Sequence, residues 1–360
     1  MQAVISLLIF LIIFCILVVS HEGGHFLIAK ANGIRVTEFT VGMGPVLFQK
    51  KKGETMYSIR LLPVGGACIF DGMDGLEADK EIENDDEHSF KRANVWARIA
   101  TVLAGPFANF ILGFLFAVIV VAFTYQSIPE VRGFSMENSP AQTAGLKEGD
   151  VITSINGHKI YLGGEVSMNM YLTDGEDVQI TYLRDGKEYE TKITPSLYKD
   201  SENKVNRYVI GVYIGKVIKP HGIDNLKYAA YNVRYYLLST WQSLGLLFKG
   251  RTDKVELSGP VGMAEMVNNS YETAKNEGGT KEVILTMINL AMFLSINLGL
   301  MNLLPIPALD GGRMIFLLIE VIVGKPVPEK YEGIVELVGA IFLIGLMVVV
   351  LFHDVGRLFK

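Results

Sequence analysis

Apolar and polar residues fall in long blocks along this chain. From Met1 to Ser20 no side chain is charged. At about 1.5 Å per residue, such a run is long enough to cross the hydrocarbon core of a bilayer. No basic segment precedes it and no small-residue cleavage pattern follows, so it is read as a first transmembrane helix over about residues 2–29 rather than a signal peptide. A second apolar block, Ile99–Tyr125, is interrupted by Ala104-Gly105-Pro106 and carries Asn109. The third, Val283–Leu304, is less apolar and holds Asn289, Ser295, Asn297 and Asn302. Pro305, Pro307, Asp310, Gly311 and Gly312 follow at once and predict a helix break. Such a break at membrane depth is tolerated where the backbone is buried in protein or lines a wet cavity. Met314–Val323 then reads as a half-helix, and Val335–Phe352 as a fourth span before a polar tail, His353-Asp354.

Between these blocks the pattern differs. Val36–Phe48 and Met56–Phe70, punctuated by Gly42, Gly44, Gly65 and Gly66, predict short strands or loops. The acidic run Glu77–Glu87 reads as a solvated linker. From Pro129 to Lys219 short apolar runs alternate with polar residues, and Val178–Leu183 and Tyr189–Ile193 flank Arg184-Asp185-Gly186-Lys187, a strong hairpin signal. Residues 222–250 mix aliphatic side chains with Tyr235, Tyr236, Trp241 and Phe248, as in an interfacial helix. Ser258-Gly259-Pro260-Val261-Gly262 predicts a turn. The predicted organisation is therefore a four-helix polytopic membrane protein with an inserted β-rich domain. Its parts are an N-terminal membrane part (1–126), the β-rich domain (127–219), an interfacial helix and linker (220–282) and a C-terminal membrane part (283–360).

Composition agrees with a membrane protein that has a soluble part. The 360 residues are 50% hydrophobic and 20% charged, with a mean hydropathy of +0.32. A net charge of −5 gives no footprint for nucleic acid. Two cysteines, Cys15 and Cys68, exclude a disulfide framework. Lys50, Lys51, Lys52, Lys91 and Arg92 favour a cytoplasmic first loop, which places both termini and the β-rich domain outside the cytoplasm.

The chemistry lies at the end of the first span, in His21-Glu22-Gly23-Gly24-His25. Residues four apart on a helix are rotated by only about 40°, so both imidazoles can reach one metal ion with Glu22 beside it. This is the H-E-x-x-H arrangement of zinc hydrolases, in which the carboxylate takes a proton from water. An accidental match is the bland alternative. Ionisable groups at the edge of a membrane span nevertheless usually mark function. A catalytic zinc takes three protein ligands and keeps one position open. Asp310 is the best third ligand, because the first and third spans end at the same membrane face; its alternative is a turn aspartate before Gly311.

Two stretches carry a resemblance to known proteins. Ser139-Pro140-Ala141, Ala144–Ile152 and Ser154-Ile155-Asn156-Gly157 resemble the PDZ domains attached to bacterial proteases. His21-Glu22-x-x-His25 together with Asn302-Leu303-Leu304-Pro305-Ile306-Pro307-Ala308-Leu309-Asp310-Gly311 resembles the site-2 protease family of intramembrane zinc metalloproteases, in the bacterial branch that cleaves anti-sigma factors. The resemblance covers nearly the whole chain, with one PDZ domain where some members have two. It implies Zn²⁺ as cofactor and Glu22 as catalytic residue. It also implies Asn297 and Asn302 as partners of substrate backbone, and a membrane-associated β-hairpin at Met56–Phe70 that can pair with an extended substrate. Its expected partners are the bilayer, single-pass membrane-protein substrates such as trimmed anti-sigma factors or signal-peptide remnants, and an extended peptide or C-terminus at the PDZ domain. The expected location is the bacterial plasma membrane, with the zinc site toward the cytoplasmic face. The rival readings are a membrane peptide-binding scaffold with a structural or absent metal, and a metal transporter; the transporter would need polar residues across the full bilayer, which the second and fourth spans lack.

Overall fold

A computed structural model describes residues 2–72, 87–200, 205–251 and 259–358. In chain order the elements are α1 (Gln2–Ala31), β1 (Val36–Lys52), β2 (Thr55–Phe70), α2 (Val95–Phe123), β3 (Gln126–Phe134), α3 (Pro140–Thr143), β4 (Val151–Ile155), β5 (His158–Lys159), α4 (Gly163–Tyr171), β6 (Val178–Arg184), β7 (Lys187–Ile193), β8 (Ser196–Asp200), β9 (Val205–Val209), β10 (Val212–Ile218), α5 (Ile223–Phe248), α6 (Pro260–Asn302), α7 (Asp310–Val323) and α8 (Glu329–Leu358). They cluster into two units, Met1–Phe116 with Ser243–Lys360, and Ala117–Gln242. Among the described residues four helices are long and apolar enough to cross a membrane: Val4–Ala31, Val95–Phe123, Val261–Asn302 and Lys330–Asp354.

In the first unit α1 packs on α6 through Phe10, Ile13 and Leu17 against Val267, Met287 and Leu290. Small residues let α2 come close to both. A Cβ on Gly24 would lie 2.3 Å from the Ala104 carbonyl oxygen, and one on Gly113 would lie 2.8 Å from Ile296. Close backbone approach of this kind is how helices associate in lipid, where apolar burial gives no driving force. Ser295 Oγ donates to the Asn109 carbonyl at 2.7 Å and fixes the register of α6 on α2. A second cluster, Ala29, Ile34, Val36, Phe70, Phe90 and Leu317 among its members, gathers the end of α1, the hairpin and α7. The part-buried pair Arg98–Glu320 ties α2 to α7 beside it.

Three expectations need correction. β1 and β2 are long, 17 and 16 residues, not short. Their glycines bend the strands instead of ending them. Gly42 and Gly44 have φ of 91° and 86°, and the pair curls so that Phe39 lies opposite both Cys68 and Tyr57. The turn expected at Ser258–Gly262 gives way to a helix from Pro260; Ser258 lies outside the described residues. Proline suits the first helical position, where its missing N–H would have had no partner. The supposed polar tail is also helical: α8 runs to Leu358, and Asp354 is buried. Asp354 Oδ2 accepts from the backbone N–H of Gly259 at 3.0 Å and of Gly262 at 2.8 Å. It thereby caps the start of α6, whose first N–H groups have no partner inside the helix. The third span agrees with expectation: α6 is kinked at Gly279, which has non-helical backbone angles (φ 69°, ψ −156°), and the segment beyond it runs to Asn302. Most of the acidic run at 77–87 lies outside the described residues.

The second unit is β-rich. Five strands form a sheet in the order β10-β3-β4-β6-β7, with β5 paired to β4; β8 and β9 form a separate pair. Ile152, Ile155, Val178, Ile180 and Ile193 face Val166 and Met170 of α4 in its core. The expected hairpin joins β6 and β7: Arg184 pairs with Lys187, and Asp185 and Gly186 take φ of 51° and 75°. Positive φ at both central residues matches the twist of the strands. The part of α5 in this unit stacks Tyr231 on Tyr161 with ring centroids 4.3 Å apart, and pairs Arg234 with the buried Glu165 of α4.

Candidate active site

The end of α1, the middle of α2 and the start of α7 converge on one cavity of about 460 Å³. His21, Glu22, His25, Asn302 and Asp310 all line it. His21 Nε2 and His25 Nε2 are 3.2 Å apart. Asp310 Oδ2 lies 3.2 Å from the first and 3.4 Å from the second. The three atoms form a nearly equilateral triangle.

That triangle fits zinc. A tetrahedral ion with bonds of about 2.0–2.1 Å sets its ligand atoms about 3.3 Å apart. The protonation pattern agrees. His25 Nδ1 donates to the Thr101 carbonyl at 2.8 Å, which leaves the Nε2 lone pair turned toward the triangle. Asp310 Oδ2 is buried and has no hydrogen-bond donor of good geometry. Lone pairs meeting at this distance repel unless a cation lies among them. Among the described residues, His21, His25 and Asp310 are a group whose ligand atoms converge in this way.

The surroundings explain why these residues sit where they do. A Cβ on Gly105 would lie 2.2 Å from His25 Nε2, so the small residue in the second span leaves room for the ring. At the other side Ala308 has φ of 71°, a strained conformation for a residue with a Cβ. It lies in the break that carries the chain from α6 to α7, where Asp310 opens the helix. Glu22 is met from the hairpin: the Cys68 backbone N–H bonds its carboxylate. The same strand segment, Gly66–Phe70, lines the cavity. Burial, reinforced by Glu22, pushes the Cys68 thiol up to about 12.

A profile described as Peptidase family M50 matches residues 9–356. The chain belongs to peptidase family M50. A Clostridium acetobutylicum protein, whose name gives zinc metalloprotease as a provisional assignment, is 34% identical over 350 residues, 97% of each chain. The regulator of sigma-W protease RasP of Bacillus subtilis is 32% identical over 432 positions, covering 98% of this chain and 99% of its own. Zinc metalloprotease RasP of Bacillus licheniformis is 31% identical over 431 positions, covering 98% and 99%. Both of these alignments are longer than the chain's own 360 residues, so the two Bacillus proteins carry insertions relative to it. The PDZ domain of an SdrC-like protein from Listeria monocytogenes is 23% identical with a TM-score of 0.21, covering 24% of this chain and 85% of its own. This M50 chain is an intramembrane zinc metalloprotease, and Zn²⁺ is its expected cofactor.

Of the residues expected from sequence, His21, Glu22, His25, Asp310 and Asn302 come together in the cavity. Asn297 does not line it. Five residues earlier on α6, it is rotated by about 140° from Asn302 and faces elsewhere. Asn109 stands beside the candidate ligands. It is fully buried, its Nδ2 lies 3.3 Å from His21 Nδ1, and its Oδ1 has no partner. Turning the amide over gives Oδ1 the Nδ1–H of His21, and frees Nε2 for the triangle. An amide inside an apolar span was the available signal. Asn109→Leu is expected to lower zinc affinity about 10- to 100-fold, the usual effect of losing such a partner, with the helical content unchanged. Zinc titration against a competing chelator, alongside circular dichroism, measures both.

Proposed function

We propose that this M50 protease hydrolyses a peptide bond in or near the transmembrane segment of single-pass membrane proteins, with zinc held by His21, His25 and Asp310. The observation that carries this reading is the triangle of ligand atoms with Glu22 in the same cavity. Zinc, when bound, supplies Lewis-acid chemistry that activates water near neutral pH and polarises a carbonyl. Glu22 accepts the proton of the attacking water and delivers it to the leaving amine. Thr101 and Asn109 hold the two imidazoles in the required tautomers.

A transmembrane helix hides its carbonyls in its own hydrogen bonds, so it must unwind locally before it is cut. Asn302 offers the freed backbone both a donor and acceptors, and the Gly66–Phe70 edge of the hairpin offers strand pairing. Asn297, outside the cavity lining, is assigned to helix packing. Met43, Val46, Leu47, Phe48, Leu61 and Leu62 of the hairpin are all exposed, which supports its association with lipid. The name of the Bacillus subtilis relative points to anti-sigma factors as the substrate class. Reconstitution with such a single-pass protein in liposomes, with mass spectrometry of the fragments, tests the proposal: the new termini are expected within or beside the apolar segment. Termini confined to the soluble domain would contradict it.

By span parity the β-rich unit is placed outside the cytoplasm, with both termini, and the zinc site toward the cytoplasmic face of a bacterial plasma membrane. The string from Ser139 to Gly157 and the sheet with β10 at its edge support a PDZ-like module. Its proposed task is to exclude untrimmed substrates. Replacing about residues 130–216 by a short flexible linker should raise cleavage of an untrimmed substrate and leave a trimmed one cut as before, as read from fragment yields in cells. Loss of both cleavages at normal zinc content would mean that the module recruits substrate.

A further inference from the structure

A second cavity, of about 360 Å³, adjoins the catalytic one. The two share Val102 and Arg313 in their linings. Arg313 lies three residues after Asp310 on α7, hence on nearly the same helix face. Its Nε donates to Glu336 Oε1 of α8 at 2.9 Å. Arg98, paired with Glu320, and Lys91 and Glu332 also line the second cavity. These charged groups share the lining with Phe90, Phe316, Leu317 and Val327, so the second cavity is of mixed character.

Among the described residues lining the catalytic cavity, Arg313 is the one permanent cation. Hydrolysis gives this position a task. The C–N bond breaks and a C–O bond forms to the oxygen of water; at neutral pH the acyl fragment leaves as a carboxylate and the amine fragment as an ammonium ion. The new carboxylate is formed beside Glu22 and Asp310, both acidic, in a site partly closed to solvent. It needs a cation before it can move off. A guanidinium offers paired N–H donors that match a carboxylate's two oxygens.

We propose that Arg313 is a carboxylate-binding residue of the catalytic cavity, which takes up a peptide carboxylate and passes it toward the second cavity. The inference rests on the reading of the zinc site given above. The carboxylate is the newly formed terminus or an acidic side chain of the substrate near the scissile bond, and the experiment separates the two.

The test uses the zinc-loaded full chain in detergent. Its probes are three fluorescent peptides that differ in one feature: a free C-terminal acid, the same peptide as an amide, and the amide with one internal aspartate. Anisotropy gives their dissociation constants. The free acid is expected to bind wild type about tenfold more tightly than the amide, the scale of one charge-assisted hydrogen bond. In Arg313→Gln, at unchanged zinc content, that ratio should fall to within about twofold. The swap Arg313→Glu with Glu336→Arg keeps an ion pair in place should the single variant fail to fold, and is expected to favour the amide. If the internal aspartate equals the free acid in wild type, and loses that advantage in the variants, the source is a substrate side chain. If the acid-to-amide ratio stays the same in wild type, Arg313→Gln and the swap, the carboxylate is held elsewhere and the proposal is overturned. That failure is distinct from a failure of the zinc-site reading, in which the variant His21→Ala, His25→Ala, Asp310→Ala would still bind one zinc tightly.

Discussion

Glu22→Gln is expected to keep its zinc and lose its protease activity. The three proposed ligands are His21, His25 and Asp310, and none of them is touched by the change. The amide is nearly isosteric with the carboxylate and can still accept the Cys68 backbone N–H, so the hairpin should remain against α1. What disappears is a group able to take a proton from water and hand it to an amine. General acid–base groups contribute about 10²- to 10⁴-fold to rate, and a fall of at least about 10³-fold is anticipated because one residue serves both transfers here. Metal analysis and single-turnover cleavage on the same purified sample separate metal loss from loss of proton transfer. Retained turnover within about tenfold of wild type would remove Glu22 from the assigned role.

The second large effect is expected from Asp310→Asn. The side chain keeps its shape but loses the negative charge that offsets a dication. Losing a hydrogen-bond partner of a ligand typically costs 10- to 100-fold in affinity; losing the charge of a ligand itself should cost more than about 100-fold. Because bound metal stabilises only the folded state, the zinc-dependent rise in melting temperature should shrink in parallel. His88→Ala is the matched control. Its Nδ1 bonds the Gly33 carbonyl at 2.9 Å, and it does not line the catalytic cavity. Equal zinc content in the two variants would exclude Asp310 as a ligand.

Much of the site was legible because its signals are local or chemically costly. His21, Glu22 and His25 lie within about one helical turn, and a charged cluster at the end of an apolar run is conspicuous. Asp310 was reachable because prolines and glycines break the third span just before it. The elements that could not be read are those set by tertiary packing. Asp354 looked like part of a polar tail, since nothing local shows that its partners are the backbone N–H groups of Gly259 and Gly262. Glycines at 42 and 44 suggested interruptions, whereas the strands curl through them. Asn297 and Asn302 look equivalent in sequence, but helical rotation separates them and only Asn302 lines the cavity. Arg313 gave no signal at all. Its place between two cavities exists only once α7 and α8 have packed.

The most direct measurement of the proposed zinc site is metal removal and return on the wild-type enzyme. Protein stripped with a chelator and reconstituted in liposomes with a single-pass substrate should cleave nothing. Adding zinc should restore cleavage in proportion to bound metal and saturate at one ion per chain, while the triple variant His21→Ala, His25→Ala, Asp310→Ala binds none and stays inactive. Undiminished cleavage by the stripped protein, or one tightly bound zinc in the triple variant, would contradict zinc catalysis at this site.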